Sequence, residues 1–296
     1  MTRAKAAFAV LAVGGLAYAT ATQWSAVTDS VSRVNVAELA VATLAMVAGT
    51  FLSMMSWRAI LADLGSPLAL RDSVAIFFVG QLGKYIPGSL WPVVAQMELG
   101  RQHDIPRKRS AVALLLAMLM GVTSGGLVAA GTLPFVAGGD LKPFRWAFLV
   151  PAAGLVLLVP RVFAAVSAFG LRLLRREPLD RGLSPRGLAT AMAWALVQWA
   201  VWGVAAATVA DGASYALCLG AYALAWSAGF VVVVAPAGAG VREGAFVLLV
   251  GAVAGNGPAL GVALLLRLLA TVADLLWGLV GYVLSRHARI RAVAPG

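Results

Sequence analysis

Charge is what this 296-residue sequence has little of: Asp, Glu, Lys and Arg make up 12% of it, against about 25% in an ordinary soluble domain. A single cysteine, Cys218, excludes a disulfide within the chain and any metal site built on cysteines. The two histidines, His103 and His287, lie in basic loop and tail sequence, where a solvated role is expected. There is no Asp-x-Asp pair for a metal-bound sugar nucleotide, no glycine loop ending in Lys-Ser/Thr, and no histidine-based metal motif. The longest connections between apolar runs are too short for a nucleotide-binding domain. Catalysis therefore finds little support, no catalytic or metal-ligating residue is assigned, and no cofactor is expected.

Apolar sequence is what is there instead. It makes up 61% of the chain, and several runs approach or exceed the roughly 20 residues that cross a bilayer core. Full spans are read at about 6–23, 37–62, 110–133, 145–171, 187–209 and 257–284. Pro160-Arg161 interrupts the fourth of these. Ending it at 160 would leave it short of a core of about 30 Å, so the longer span is kept, with Arg161 snorkelling to the surface. Two further tracts, about 70–100 and 214–253, are each broken near the middle by proline and glycine: "GKYIPGSLWP" in one and "VVAPAGAGVREGAF" in the other. Proline removes a backbone donor and clashes with the preceding turn, and glycine permits a reversal. Each tract reads as two helical segments joined by a tight turn.

Charge decides how the broken tracts lie. The net charge of +11 would suit nucleic acid, but its distribution points to a membrane instead. Seventeen of the 23 Lys and Arg residues fall in segments assigned to the cytoplasm and three in external loops (Arg33, Lys142, Arg145); Lys84, Arg242 and Arg267 lie in membrane segments. The first tract has basic flanks and enters from the cytoplasm. The second, flanked by "ADGAS" and "GNGP", enters from outside. Both termini come out cytoplasmic, in a bacterial-type plasma (inner) membrane.

An internal repeat is legible as well. Pro87 aligns with Pro236, and "VALLL" at 112–116 with "VALLL" at 262–266. The halves 1–133 and 145–284 each read span, span, broken tract, span, but start on opposite sides. The expected fold is an all-α polytopic membrane domain over 1–296, with six full spans plus two re-entrant helical hairpins in an inverted-topology repeat. The N-terminal stretch looks like a signal peptide, but its removal would leave the first half one span short, so it is expected to be kept.

Hairpin tips are placed at Pro87 and Gly88, and at Pro236, Gly238 and Gly240. Non-helical backbone at membrane depth must be buried in protein or line a polar cavity. Each embedded charge costs about 2.5–3.5 kcal/mol on insertion scales, so Lys84, Arg242, Glu243, Arg267 and Asp274 are expected to be paired or used. Pairing of Glu243 with Arg267, or of Arg242 with Asp274, is one reading. The other is a cavity in which Lys84, Arg242 and Arg267 receive a phosphate beside two half-helix starts, one of them capped by Ser89. Tyr85 and Trp91 are placed to stack on a sugar or pack against acyl chains. Trp194, Trp199 and Trp202 are assigned to helix packing; Gln81, Gln96 and Gln198 are weaker candidates for polar lining.

At "GKYIPG", the basic stretch after it, "PAGAGVREG" and "LLLRLL", the sequence resembles the lysylphosphatidylglycerol synthase transmembrane-region family, the flippase part of bifunctional lysyl-lipid synthases. The resemblance implies re-entrant hairpins and movement of phospholipid or polyprenyl-linked lipid between leaflets. It singles out Tyr85, Pro87, Gly88, Pro236, Gly240, Arg242, Glu243 and Arg267. Ser89-Leu90-Trp91 replaces a more glycine-rich tip, and the soluble aminoacyl-transfer domain has no counterpart in the chain, so a standalone member that does not itself make lysyl-lipid is expected. The expected partners are a membrane lipid as substrate and a separate lipid-modifying synthase or glycosyltransferase, with no nucleic acid. Two rival functions are a polyprenyl-phosphate glycosyltransferase and an ion or small-solute transporter.

Overall fold

The computed structural model describes residues 32–85, 91–136, 149–159, 182–231 and 240–293, with Thr28, Arg161, Val162 and Ala165 as single positions. Among these residues the structure is helical throughout: α1 (Val36–Asp63), α2 (Leu70–Gln81) running into a 3₁₀ turn (Leu82–Tyr85), α3 (Trp91–Arg101), α4 (Arg107–Val136), α5 (Leu149–Leu158), α6 (Pro185–Val209), α7 (Tyr215–Val231), α8 (Val241–Ala254) and α9 (Asn256–Val293). α1, α4, α6 and residues 256–286 of α9 are long and apolar enough to cross a membrane. The protein is a multi-pass membrane protein.

Local chemistry sets the helix ends. α1 opens on a capping box in which Asn35 Oδ1 accepts from the Glu38 N–H and Glu38 Oε2 from the Asn35 N–H, both at 2.9 Å. α6 opens on Ser184 followed by Pro185, and the Ser184 hydroxyl accepts from the Gly187 N–H. Asp63, at the end of α1, accepts from both the N–H and the hydroxyl of Ser184, at 2.6 and 2.7 Å, which ties the two helix ends together. Arginines near helix ends hold the neighbouring loop. Arg58 donates to the Leu68 carbonyl, and Arg109 to the Gly65 carbonyl and the Ser66 hydroxyl.

Packing pairs the long helices antiparallel. α1 lies along α6: the Trp202 indole occupies the space where Gly49 lacks a side chain and donates to the Met46 carbonyl at 3.3 Å. Lower on the same seam, Ser56 donates to the Ala191 carbonyl. α4 lies along α7 through Gly121 against Trp226, Gly125 against Ser227 and Thr132 against Gly220. α9 lies along α2 through Gly278 against Leu82, Gly281 against Val74, and the stacked rings of Trp277 and Phe78. Glycines let these backbones approach, as in membrane helix packing generally. Gly49→Leu is expected to lower stability by about 1–3 kcal/mol, because the indole has nowhere to go; thermal unfolding in detergent measures it.

Each broken tract is two helical segments, as the sequence predicts. In the first, Gly80 faces Gln96, and Gly83 abuts the backbone of Trp91 and Pro92, so α2 and α3 run antiparallel side by side. In the second, Gly229 faces Arg242 and Ala225 shares a cavity with Phe246, so α7 and α8 do the same. The tip residues Pro87, Gly88, Ser89, Pro236 and Gly238 lie outside the described residues, as does the expected span 6–23.

Two boundaries differ from expectation. Within the expected span 145–171 the helix α5 covers ten residues, about 15 Å, and most of the remainder lies outside the described residues. α9 runs to Val293 rather than stopping near 284. Its basic end contains no helix breaker before Pro295, so nothing local stops it where it leaves the apolar region.

Candidate functional site

α9 is the element that both broken tracts touch. Arg267 and Asp274 sit two turns apart on it, and each reaches a different tract. Arg267 Nη1 donates to Glu243 Oε1 at 2.5 Å, joining α9 to the start of α8. Asp274 Oδ2 accepts from Lys84 Nζ at 2.6 Å and from the Tyr85 hydroxyl at 2.7 Å, joining α9 to the 3₁₀ turn after α2. The polarity is reversed between the two links: the helix supplies the cation to one tract and the anion to the other.

The start of α8 is shaped by its own residues. Gly240 has φ +83°, a left-handed conformation open to glycine without strain. Its N–H donates to Glu243 Oε2 at 2.6 Å, so the glutamate caps its own helix while its other oxygen holds Arg267. Glu243 is 8% exposed. This carboxylate satisfies a helix start in apolar surroundings, where an open N–H is costly.

Arg242 stands differently. Its stem crosses α7 at Gly229, where any side chain would overlap it, and its guanidinium lies 5.2 Å from the Trp226 ring centroid. Its Nε is sealed from solvent and has no hydrogen-bond partner among the described residues. With Glu243, Arg267, Tyr222, Trp226 and Phe246 it lines a cavity of about 30 Å³, room for a water molecule or two. Trp226 in turn stacks on Phe230 (5.4 Å, 9°), and Phe230 is exposed on the outer surface of the helices.

The family of the lysylphosphatidylglycerol synthase transmembrane region matches residues 5–278. The chain belongs to it. A search of curated proteins finds no match. Of the residues the sequence singles out for this lysylphosphatidylglycerol synthase transmembrane family, Tyr85, Gly240, Arg242, Glu243 and Arg267 come together around α9, while Pro87, Gly88 and Pro236 lie outside the described residues.

The three cations expected to share one phosphate are not equivalent in this family member. Lys84 is tied to Asp274 and Arg267 to Glu243; the paired reading Arg242–Asp274 gives way to Lys84–Asp274 because the 3₁₀ turn, not α8, stands beside that turn of α9. Trp91 is exposed at the start of α3. Trp199 and Trp202 are core residues, with Trp199 donating to the Ser124 hydroxyl. Gln96 is buried against Gly80. Glu98 is exposed at the end of α3 between Arg101 and Arg107, each at 2.8 Å, a cluster of exposed ion pairs.

Sequence reasoning passed over Tyr222, Trp226, Gly229 and Phe246. Their signal was present: Trp226 and Phe230 are four apart with Gly229 between them, an aromatic pair on one helix face flanking a gap.

Proposed function

We propose that this protein is a lipid flippase, a transporter rather than an enzyme, that moves a phosphate-containing lipid between leaflets. The lipid is a polyprenyl-phosphate-linked sugar or an aminoacylated phospholipid, delivered by a separate synthase or glycosyltransferase. The observation that carries this reading is Arg242: a guanidinium Nε sealed from solvent and unpartnered among the described residues, in a cavity whose other charges are paired with each other. A cation kept so at membrane depth suits an anionic ligand. The stacked Trp226 and the exposed Phe230 lead from that cation to the lipid side, where an acyl or prenyl tail stays in the bilayer.

The architecture in this reading has six spans, two re-entrant hairpins and an inverted repeat, with both termini in the cytoplasm of a bacterial-type plasma membrane. Helix pairing supports the repeat. α4, last in the first half, packs on α7, the first arm of the second hairpin. α9, last in the second half, packs on α2, the first arm of the first hairpin, and the equivalent helices α1 and α6 pack on each other. The seventeen-to-three distribution of basic residues supports the orientation. Rocking of the halves about this exchanged pairing would expose the Arg242 cavity to each leaflet in turn.

The test is leaflet exchange of a fluorescent-tailed lysyl-phosphatidylglycerol, an aminoacylated phospholipid, in liposomes carrying the full chain. Exchange faster than in empty liposomes is expected, falling about ten- to a hundredfold in Arg242→Gln, the worth of one charge-assisted hydrogen bond. Exchange in Arg242→Gln equal to that of the unaltered protein, or none above empty liposomes in either, overturns the reading.

A further inference from the structure

We infer that Glu243 is a resident stand-in for the lipid's own anion: its carboxylate occupies the place a substrate phosphate takes, and transport requires its displacement. This rests on the reading of the Arg242 cavity as a lipid-phosphate site. The donors expected for a phosphate at this site are a guanidinium and the N–H groups of a helix start. The carboxylate already takes one of each: Oε1 accepts from Arg267 Nη1, and Oε2 from the Gly240 N–H. Two oxygens of a phosphate present the same pair of acceptors. Arg242 faces the same cavity with its Nε unpartnered, so the cavity holds two guanidinium groups against one carboxylate.

About 30 Å³ remains beside the carboxylate, room for a water molecule or two. As Glu243 swings out, a headgroup taking its place inherits Arg267 and the Gly240 N–H in addition to Arg242. Glu243 stays tethered to the first turn of its own helix, so it competes again at every turnover and speeds release. Its neighbours permit the swing: Gly244 carries no side chain and is exposed.

A merely structural cap makes the opposite prediction. Glu243→Gln keeps an acceptor oxygen for the Gly240 N–H but removes the competing charge. Retention of fluorescent-tailed lysyl-phosphatidylglycerol by the purified full chain in nanodiscs, together with its leaflet-exchange rate, separates the two. Retention in Glu243→Gln about tenfold tighter than in the unaltered protein is expected, the scale of one charged hydrogen bond, with slower exchange; Arg242→Gln loses retention. Retention in Glu243→Gln equal to or weaker than in the unaltered protein, with Arg242→Gln still losing it, overturns the stand-in and leaves the flippase reading intact. If Arg242→Gln retains the lipid as well as the unaltered protein does, both fall. A cooperative thermal transition above the assay temperature in each of the three proteins, with the midpoint of Glu243→Gln lowered because it breaks the Arg267 pair, shows that each is folded.

Discussion

Arg267→Ala is expected to lower the stability of the protein by about 3–5 kcal/mol, the scale for a buried ion pair that loses one partner. The Glu243 carboxylate is left in apolar surroundings with the Gly240 N–H as its remaining described hydrogen bond. Arg242 lines the same cavity and takes up part of the lost interaction, which places the effect toward the lower end of that range. Replacing both partners with apolar residues of similar volume, Glu243→Leu with Arg267→Met, is expected to recover much of the loss, because the desolvation cost disappears along with the pair. Transport remains lost in the double variant under the flippase reading. Thermal midpoints of the unaltered protein, Glu243→Leu, Arg267→Met and the double variant form a cycle. Equal depression in Arg267→Ala and in the double variant would show that the pair does not hold α8 to α9.

The broken tracts show how much local sequence carries. Pro87-Gly88 and Pro236-Ala237-Gly238 announce interruptions, and the described helices stop at Tyr85 and Val231 and resume at Trp91 and Val241 on either side. Those interruptions depend on proline and glycine chemistry within a few residues, so one dimension suffices to see them. Partner choice among the charges depends on more. The seven-residue spacing of Arg267 and Asp274 places them on one side of a helix, but which tract stands beside which turn is set by packing. Gly278 and Gly281 bring α2 against the lower turns of α9, and this hands Asp274 to Lys84 and Tyr85. The Glu243 cap lies between these extremes. A glycine followed three residues later by glutamate is a local helix-start pattern, legible from spacing alone, whereas the donation from Arg267 to its second oxygen is tertiary. Gly49 carries no signal at all, because the indole that fills its place arrives from 153 positions further along the chain, at Trp202.

Asp274→Ala is expected to detach the first hairpin from α9 and, under the flippase reading, to reduce leaflet exchange more than tenfold, whereas Lys84→Ala is expected to act more mildly. The asymmetry follows from the geometry: one oxygen, Oδ2, serves both the ammonium and the phenol, so removing the aspartate frees two groups and removing the lysine leaves the Tyr85 hydrogen bond in place. Lys84 keeps 38% of its side-chain exposure, which limits what its half of the pair contributes. Leu82→Cys with Gly278→Cys reports the docking directly, because a side chain at Gly278 would meet Leu82 and the natural cysteine, Cys218, is buried away from them. Oxidative cross-linking of that pair is expected to be efficient with Asp274 present and poor in Asp274→Ala; equal efficiency in both would show that the helix seam alone holds the hairpin. Exchanging the charges, Lys84→Asp with Asp274→Lys, is expected to restore cross-linking in part, since an ion pair survives reversal but the Tyr85 hydroxyl then faces an ammonium that cannot accept from it. The same helix grips the second hairpin through Arg267, so a first hairpin that lets go of Asp274 leaves α9 tied on one side.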